Sequence, residues 1–425
     1  MTALLILTLV VGPPADTLSL ELCYAAAEKN HPLAATAELY DRIEELRLAN
    51  INAGSLPRIL AGGQASYQSA VPEIPFGEGT TVSNDQYRMT LGVEHILYAG
   101  GVSAPQREAE RLQRQLQQSN AAVEVYRIRD QVEVAYFGVL LQQSIAATLR
   151  ASEETLEAEL AQMEARIAEG VATAGDADVL LVELIGLRQR IADAEASRSA
   201  AMAVLAVITG LPLGEETALS LPESAPLVVS VQDKRRPEYA TMNLSRRLLS
   251  AQQEIVARKE RPQLGAMVEA AYGRPPGQNF FEDSFSPFFT AGLRLQWVAW
   301  DWGRSGRDRA VFDAESDVMV AREEAFTQAL RATAERQARD IERIADFRAQ
   351  DEEIISLRER ITAQAASRLA NGVITATQYV LARNAEQQAR LAREMHRIQL
   401  AQARAMLATT LGAAIEPTSN QIEPR

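Results

Sequence analysis

The chain is one unit written twice, and no other feature constrains its fold as tightly. Pro32, Pro57 and Tyr67 recur as Pro237, Pro262 and Tyr272 at one constant offset. Leu91, Val93, Gly101 and Ser103 recur as Leu293, Leu295, Gly303 and Ser305 at a slightly shorter one. That second offset then holds through Gly170-Val171 and Gly372-Val373 to Gly210 and Gly412. The register changes only between Tyr67 and Leu91, and a length change confined to one interval marks a surface loop. The repeats run over residues 17–212 and 233–413. The segment 213–232, rich in Pro, Ser and Glu, reads as a linker, and 414–425 as a tail.

Each unit alternates between two periodicities. Leu18–Asn52 has a helical pattern that Pro57 closes. The period then becomes two. Ala61, Gly63, Ala65 and Tyr67 oppose Gly62, Gln64 and Ser66, while Met89, Leu91 and Val93 oppose Arg88, Thr90 and Glu94. The second unit repeats this with Val268 and Ala270 against Glu269, and with Leu293, Leu295 and Trp297 against Arg294 and Gln296. Strict alternation predicts strands with one apolar and one polar side. A hairpin is therefore expected at about 61–98 and another at about 263–300.

Helix resumes after Gly101 and Gly303. Val102 to Ala168 contains no proline beyond Pro105, and Arg304 to Ala370 contains none. Each stretch would reach about 100 Å at about 1.5 Å per residue, with seams such as Leu149, Leu156 and Met163 that call for coiled-coil partners. Short turns at 170–176 and 371–377 lead into returning helices that end in Gly210 and Gly412. The class is α+β, mostly helical, with a β-hairpin inserted into each long-helix unit.

Aromatic residues make up 5% of the chain, yet more than half fall within 67–98 and 272–302. Tyr98, Trp297, Trp300 and Trp302 lie at strand ends, where a membrane barrel carries its interfacial rings. Four strands cannot close a barrel, and an open edge in lipid strands unpaired backbone groups. Several chains must then pool their strands, and three would give twelve. Arg88, Glu94, Glu269, Arg294 and Gln296 would line the lumen.

Composition narrows the alternatives. Cys23 is the single cysteine, which excludes a disulfide framework and Cys-type zinc sites. It falls within a helical pattern and reads as a buried structural thiol. The net charge of −13 argues against nucleic acid as a partner. His31, His95 and His396 have no metal-ligand spacing, and the glycine pairs lack a phosphate-loop order. No catalytic, metal or cofactor site is predicted. Ala3–Gly12, followed by Pro13-Pro14, has the length of an export-signal core, so residues 1–16 read as a signal, truncated if the start codon lies upstream.

The order of Leu18-Ser19-Leu20-Glu21, Asn30-His31-Pro32, Tyr98-Ala99-Gly100-Gly101, Trp300-Asp301-Trp302-Gly303, Asp178-Val179-Leu180 and Gln378-Tyr379-Val380-Leu381 resembles the TolC family of outer-membrane efflux proteins. The resemblance spans nearly everything after residue 17. It implies a homotrimer with a twelve-stranded barrel in the outer membrane of a Gram-negative bacterium, set on a periplasmic α-helical tunnel. It implies a passive exit duct for a tripartite efflux pump or type I secretion system. The partners would be a periplasmic adaptor and an inner-membrane pump or ABC-type exporter. Acidic gate residues at the tunnel mouth would fall on Asp176 and Asp178, although Asp176 also reads as a cap of the returning helix. The competing readings are a soluble periplasmic coiled-coil adaptor and a structural scaffold. The former would carry one helical hairpin and a lipoyl-like β domain, the latter no strands.

Overall fold

The computed structural model describes residues 17–71, 84–222, 230–277 and 282–413. The expected signal at 1–16, most of the first hairpin loop, the middle of the linker and the tail lie outside them. Two compact units emerge, and the chain passes between them repeatedly.

The first unit holds the described residues up to Ala35, Ala121–Tyr239, and those from Glu324 onward. Its helix α1 covers Leu20–Asn30, with Ser19 accepting from the Leu22 amide at 3.2 Å as N-cap. Helix α1 stops at His31, one residue before Pro32, and a short 3-10 turn over Pro32–Ala35 follows before α2 (Thr36–Ala53). The sequence pattern suggests one continuous helix here. Proline lacks an N–H and pushes the residue before it out of helical space, and His31 is accordingly extended at ψ 132°.

Helix α3 spans Ser103–Tyr126, α4 Ile128–Ala168 and α5 Ala174–Thr209. Helix α6 spans Pro237–Lys259, α7 Arg304–Ala370 and α8 Ala376–Leu411. Two apolar clusters hold the first unit. Leu20, Cys23, Tyr24 and Ala27 of α1 pack with Val132, Tyr136, Phe137 and Val139 of α4, Leu205 of α5, and Ile398 and Ala401 of α8. Leu149, Leu156 and Met163 of α4 pack with Leu180, Leu184, Leu187 and Ile191 of α5 and with Tyr379 of α8. In the second cluster the α4 and α5 positions recur every three, four or seven residues, so one stripe of each helix is removed from water. Burying each leucine contributes roughly 1.5–3 kcal/mol. Burial also pushes the Cys23 thiol up to about 12, leaving it an inert core residue. One window within Ser103–Ala168 is long and apolar enough to cross a membrane, but half of it is buried inside the protein.

Helix α5 ends on Gly210, at φ 68°, where a Cβ would fall 2.7 Å from the Asn30 amide nitrogen. Asn30 donates to the Thr209 carbonyl at 2.6 Å, so only glycine permits this close closure of α1 onto the end of α5.

The second unit holds Thr36–Asn120 and Ala240–Glu323. Its sheet is a four-stranded antiparallel meander, β1 (Arg58–Tyr67), β2 (Asp85–Tyr98), β3 (Gln263–Arg274) and β4 (Ser286–Gln296), in the order β1-β2-β3-β4. The first hairpin begins three residues before the sequence pattern suggested, because Arg58 pairs with Glu94. The second ends at Gln296, so Trp297–Trp300 lie beyond the strand. Polar ladders join the helices of this unit. Arg47 reaches Glu110 at 3.1 Å and Arg114 reaches Asp41 at 3.2 Å between α2 and α3. Gln253 reaches Asp313 at 2.9 Å and Arg246 reaches Glu323 at 3.5 Å between α6 and α7, the corresponding pair of the second repeat.

Candidate functional site

Pairing register decides which side chains share a face of the sheet. Arg58, Gln64, Arg88, Thr90, Glu94, Glu269, Thr290, Arg294 and Gln296 fall on one side. All five residues assigned to a lumen from sequence are among them, and Arg58 and Gln64 join from β1. The other side carries Ile59, Tyr67, Tyr87, Met89, Leu91, Val93, Val268, Tyr272, Phe289, Leu293 and Leu295.

That apolar side is uncovered. Met89 is 70% exposed, Phe289 80% and Leu293 72%, so large apolar groups stand as open as Arg88, Arg294 and Gln296 on the polar side. A sheet folded in water packs its apolar face on a core. The edges are equally open, since β1 and β4 each pair on one side only.

The aromatics form two bands. Tyr98 closes β2, and Trp297, Trp300 and Trp302 follow β4 at the same end of the sheet; all four are exposed. Trp297 donates from Nε1 to the Glu260 carbonyl at 3.1 Å, and the Trp300 and Trp302 rings meet edge to face at 6.1 Å. At the hairpin end a second band appears that sequence reasoning did not single out. Phe285 lies 5.9 Å from Tyr272 and 6.0 Å from Tyr87, and Tyr67 is nearby in register. Only the strand pairing brings these residues to one height.

The junction from strand to helix is built by Gly100 and Asp301. Gly100 has φ 69°, and a Cβ there would fall 2.8 Å from the Arg258 carbonyl oxygen at the end of α6. Asp301 accepts from the Gly303 amide at 2.9 Å and the Ser305 amide at 2.7 Å, starting α7. The Ser305 hydroxyl, which also donates to it, and then these amides lower its carboxyl to about 2.

The helical turns of the first unit carry the second group of candidates. Thr173 is the N-cap of α5, and Asp176 completes a capping box with it rather than being the cap itself. Asp176 accepts from the Thr173 hydroxyl at 2.7 Å and, at 3.4 Å, from the Ala376 amide that begins α8. The hydroxyl bond holds its carboxyl below the usual carboxylate range. Thr375 and Gln378 repeat the box on α8. Asp178 is exposed on α5 just past its first turn, while its repeat partner Val380 is buried. The two acids therefore occupy different environments.

Sequence reasoning also missed a cross-link close to these turns. Tyr379 of α8 donates its hydroxyl to Glu159 of α4, and Arg383 approaches the same carboxylate at 3.5 Å. Arg383 also donates to the Ser152 carbonyl at 2.9 Å. Burial and Glu159 raise the Tyr379 hydroxyl well above its ordinary range, so it stays a donor. Arg166 of α4 donates to the Ala370 carbonyl at the end of α7 at 2.7 Å. Elsewhere, His396 of α8 lies 2.9 Å from Asp351 of α7, a pairing invisible from sequence spacing. Among the described residues, no three His, Cys, Asp or Glu side chains gather as a metal-binding group.

No protein-family model and no curated protein matches the sequence. Solved structures do match. CusC, whose crystal structures concern transmembrane channel formation, superposes with a TM-score of 0.71 at 14% identity, over 93% of this chain and 92% of that one. The outer membrane protein VceC of Vibrio cholerae gives 0.67 at 14% identity, over 93% and 97%. The open state of the MtrE outer membrane channel of Neisseria gonorrhoeae gives 0.65 at 16% identity, over 93% and 89%. At such identities the likeness is one of fold, and the chain has the TolC-like fold anticipated from its sequence.

Proposed function

We propose that this chain, with its TolC-like fold, is an outer-membrane channel that serves as the exit duct of a tripartite efflux pump or type I secretion system. One observation carries the reading: the sheet exposes its apolar face, has aromatics at both ends of that face, and leaves both edges unpaired. Lipid is the solvent that suits such a face, and only closure of the edges makes insertion affordable. Three copies pairing β1 of one with β4 of the next give a twelve-stranded barrel. Arg88, Glu94, Glu269, Arg294 and Gln296 line its lumen, while Tyr98, Trp297, Trp300 and Trp302 sit at one membrane interface. The long helices continue as a periplasmic tunnel, and their turns meet an adaptor and an inner-membrane pump or ABC-type exporter. The duct itself is passive and needs no catalytic group.

At the turns, Asp178 offers its carboxylate to the passage, whereas Asp176 is committed to capping. The Tyr379–Glu159–Arg383 cross-link restrains α8 against α4 and keeps the mouth narrow.

Cell fractionation tests the reading. The protein is expected in the outer membrane as an oligomer that survives mild detergent and changes mobility on heating. Recovery as a soluble monomer would overturn it in favour of a scaffold.

A further inference from the structure

The polar side of the sheet contains a cavity of about 200 Å³, at the end where β1 and β3 begin and β2 and β4 finish. Arg58, Glu94, Gln263, Arg294 and Gln296 rise around it. Gly265, directly opposite Arg294 in the register, forms part of its floor. Gly292 lies on the same side one step away. The missing side chains leave room for the long ones to arch over bare backbone.

Neither guanidinium is saturated by an acid. The contact of Arg58 with Glu94 is 3.9 Å, too long for a hydrogen bond. Among the described residues Arg294 meets the Met267 sulfur, at 3.6 Å, and no acid. Two exposed guanidinium forks and two carboxamides thus face one space, against a single carboxylate. The chain as a whole is strongly acidic, at −13, yet this side of the sheet has Arg58, Arg88 and Arg294 against Glu94 and Glu269. The positive sign is local.

We propose that this cavity is a binding site for a small oxyanion, a phosphoryl or carboxylate group, held between Arg58 and Arg294. Planar guanidinium forks pair with such groups through two parallel hydrogen bonds, and Gln263 and Gln296 supply neutral donors beside them. The proposal rests on the channel reading, which makes this side of the sheet the lumen. One such site per subunit then forms a ring that a passing anion meets. The group belongs either to a free ion or to a larger exported molecule.

Planar-bilayer recordings of the purified full-length protein test it, with inorganic phosphate and glutarate as probes. In the unaltered protein both probes lower the chloride current. In Arg58→Gln/Arg294→Gln that response is lost, and the anion-to-cation permeability ratio falls on the order of threefold. Arg88→Gln, which removes one arginine from the same face outside the cavity, keeps the response to either probe once the block is scaled to the single charge lost. An unchanged response in the double variant, or its loss in Arg88→Gln, overturns the site. Phosphate acting without glutarate assigns the cavity to the free ion. If the unaltered protein never conducts, the channel reading fails, while calorimetric titration of phosphate into the purified protein still decides whether the cavity binds.

Discussion

At the residue scale the least conventional group is Glu133 of α4. It is 1% exposed, yet it is a carboxyl. Its Oε1 accepts from the Tyr24 hydroxyl at 2.6 Å and from the Thr409 hydroxyl, while Oε2 has no partner among the described residues. Burial raises its pKa from 4.5 to about 7, with Asp130 adding to the rise; Thr409, Tyr24 and Arg129 oppose it. A carboxyl raised on folding binds more protons folded than unfolded between those two values. Its contribution is therefore greatest below about pH 4.5, declines as pH rises toward 7, and is flat above. The decline amounts to about 3 kcal/mol at most. Glu133→Gln removes the titration. Its thermal midpoint in detergent should exceed that of the unaltered protein near pH 8, and the gap should close toward pH 5. Parallel midpoints across that range would show that Glu133 does not set the pH dependence.

At the scale of elements, much of the architecture was legible because periodicity is a local property. The duplication, the alternation in β1 to β4 and the seam Leu180, Leu184, Leu187 and Ile191 all stand in the sequence. The shared polar face of Arg88, Glu94, Glu269 and Arg294 was legible too, since alternation fixes a face once pairing is in register. Arg58 escaped because strand ends are set by pairing rather than by pattern. At His31-Pro32 the proline signals a bend, while the helical spacing that continues on both sides of it conceals a full interruption. The α4–α8 cross-link escaped because Tyr379 and Glu159 are 220 residues apart. That cross-link makes a prediction of its own. Tyr379→Phe with Arg383→Ser deletes the hydroxyl donor and the guanidinium, leaving Glu159 unpartnered. Single-channel conductance should rise severalfold while oligomer yield stays constant. An unaltered conductance would mean that α4 and α8 are held by their apolar contacts alone.

For the whole molecule the decisive property is which side of the sheet meets lipid. Leu91 in the middle of β2 is 58% exposed on the apolar side, and Thr90 beside it is on the polar side. An arginine on the lipid side of a barrel costs about 2–4 kcal/mol near the bilayer midplane, and a symmetric assembly pays it in every copy. Leu91→Arg should therefore abolish the outer-membrane oligomer, whereas Thr90→Arg should leave its yield within about twofold, a modest effect typical of lumen positions. Heat-modifiable oligomer on a gel reads both. Equal loss in the two variants would mean that neither side faces lipid.

The meander also fixes where neighbouring molecules meet. Within one chain β2 is sutured to β3, so the two halves of the duplication are already joined. What stays open is the beginning of the first half and the end of the second. Any ring built from this chain then has seams of one kind only, always an early half against a late one. Hairpins that look interchangeable occupy two distinct stations around the circle. Asp178 has diverged from Val380, and such a difference is repeated once per molecule instead of once per hairpin. Fusion of the halves has thereby given this wall two independently variable alphabets, at no cost to its closure.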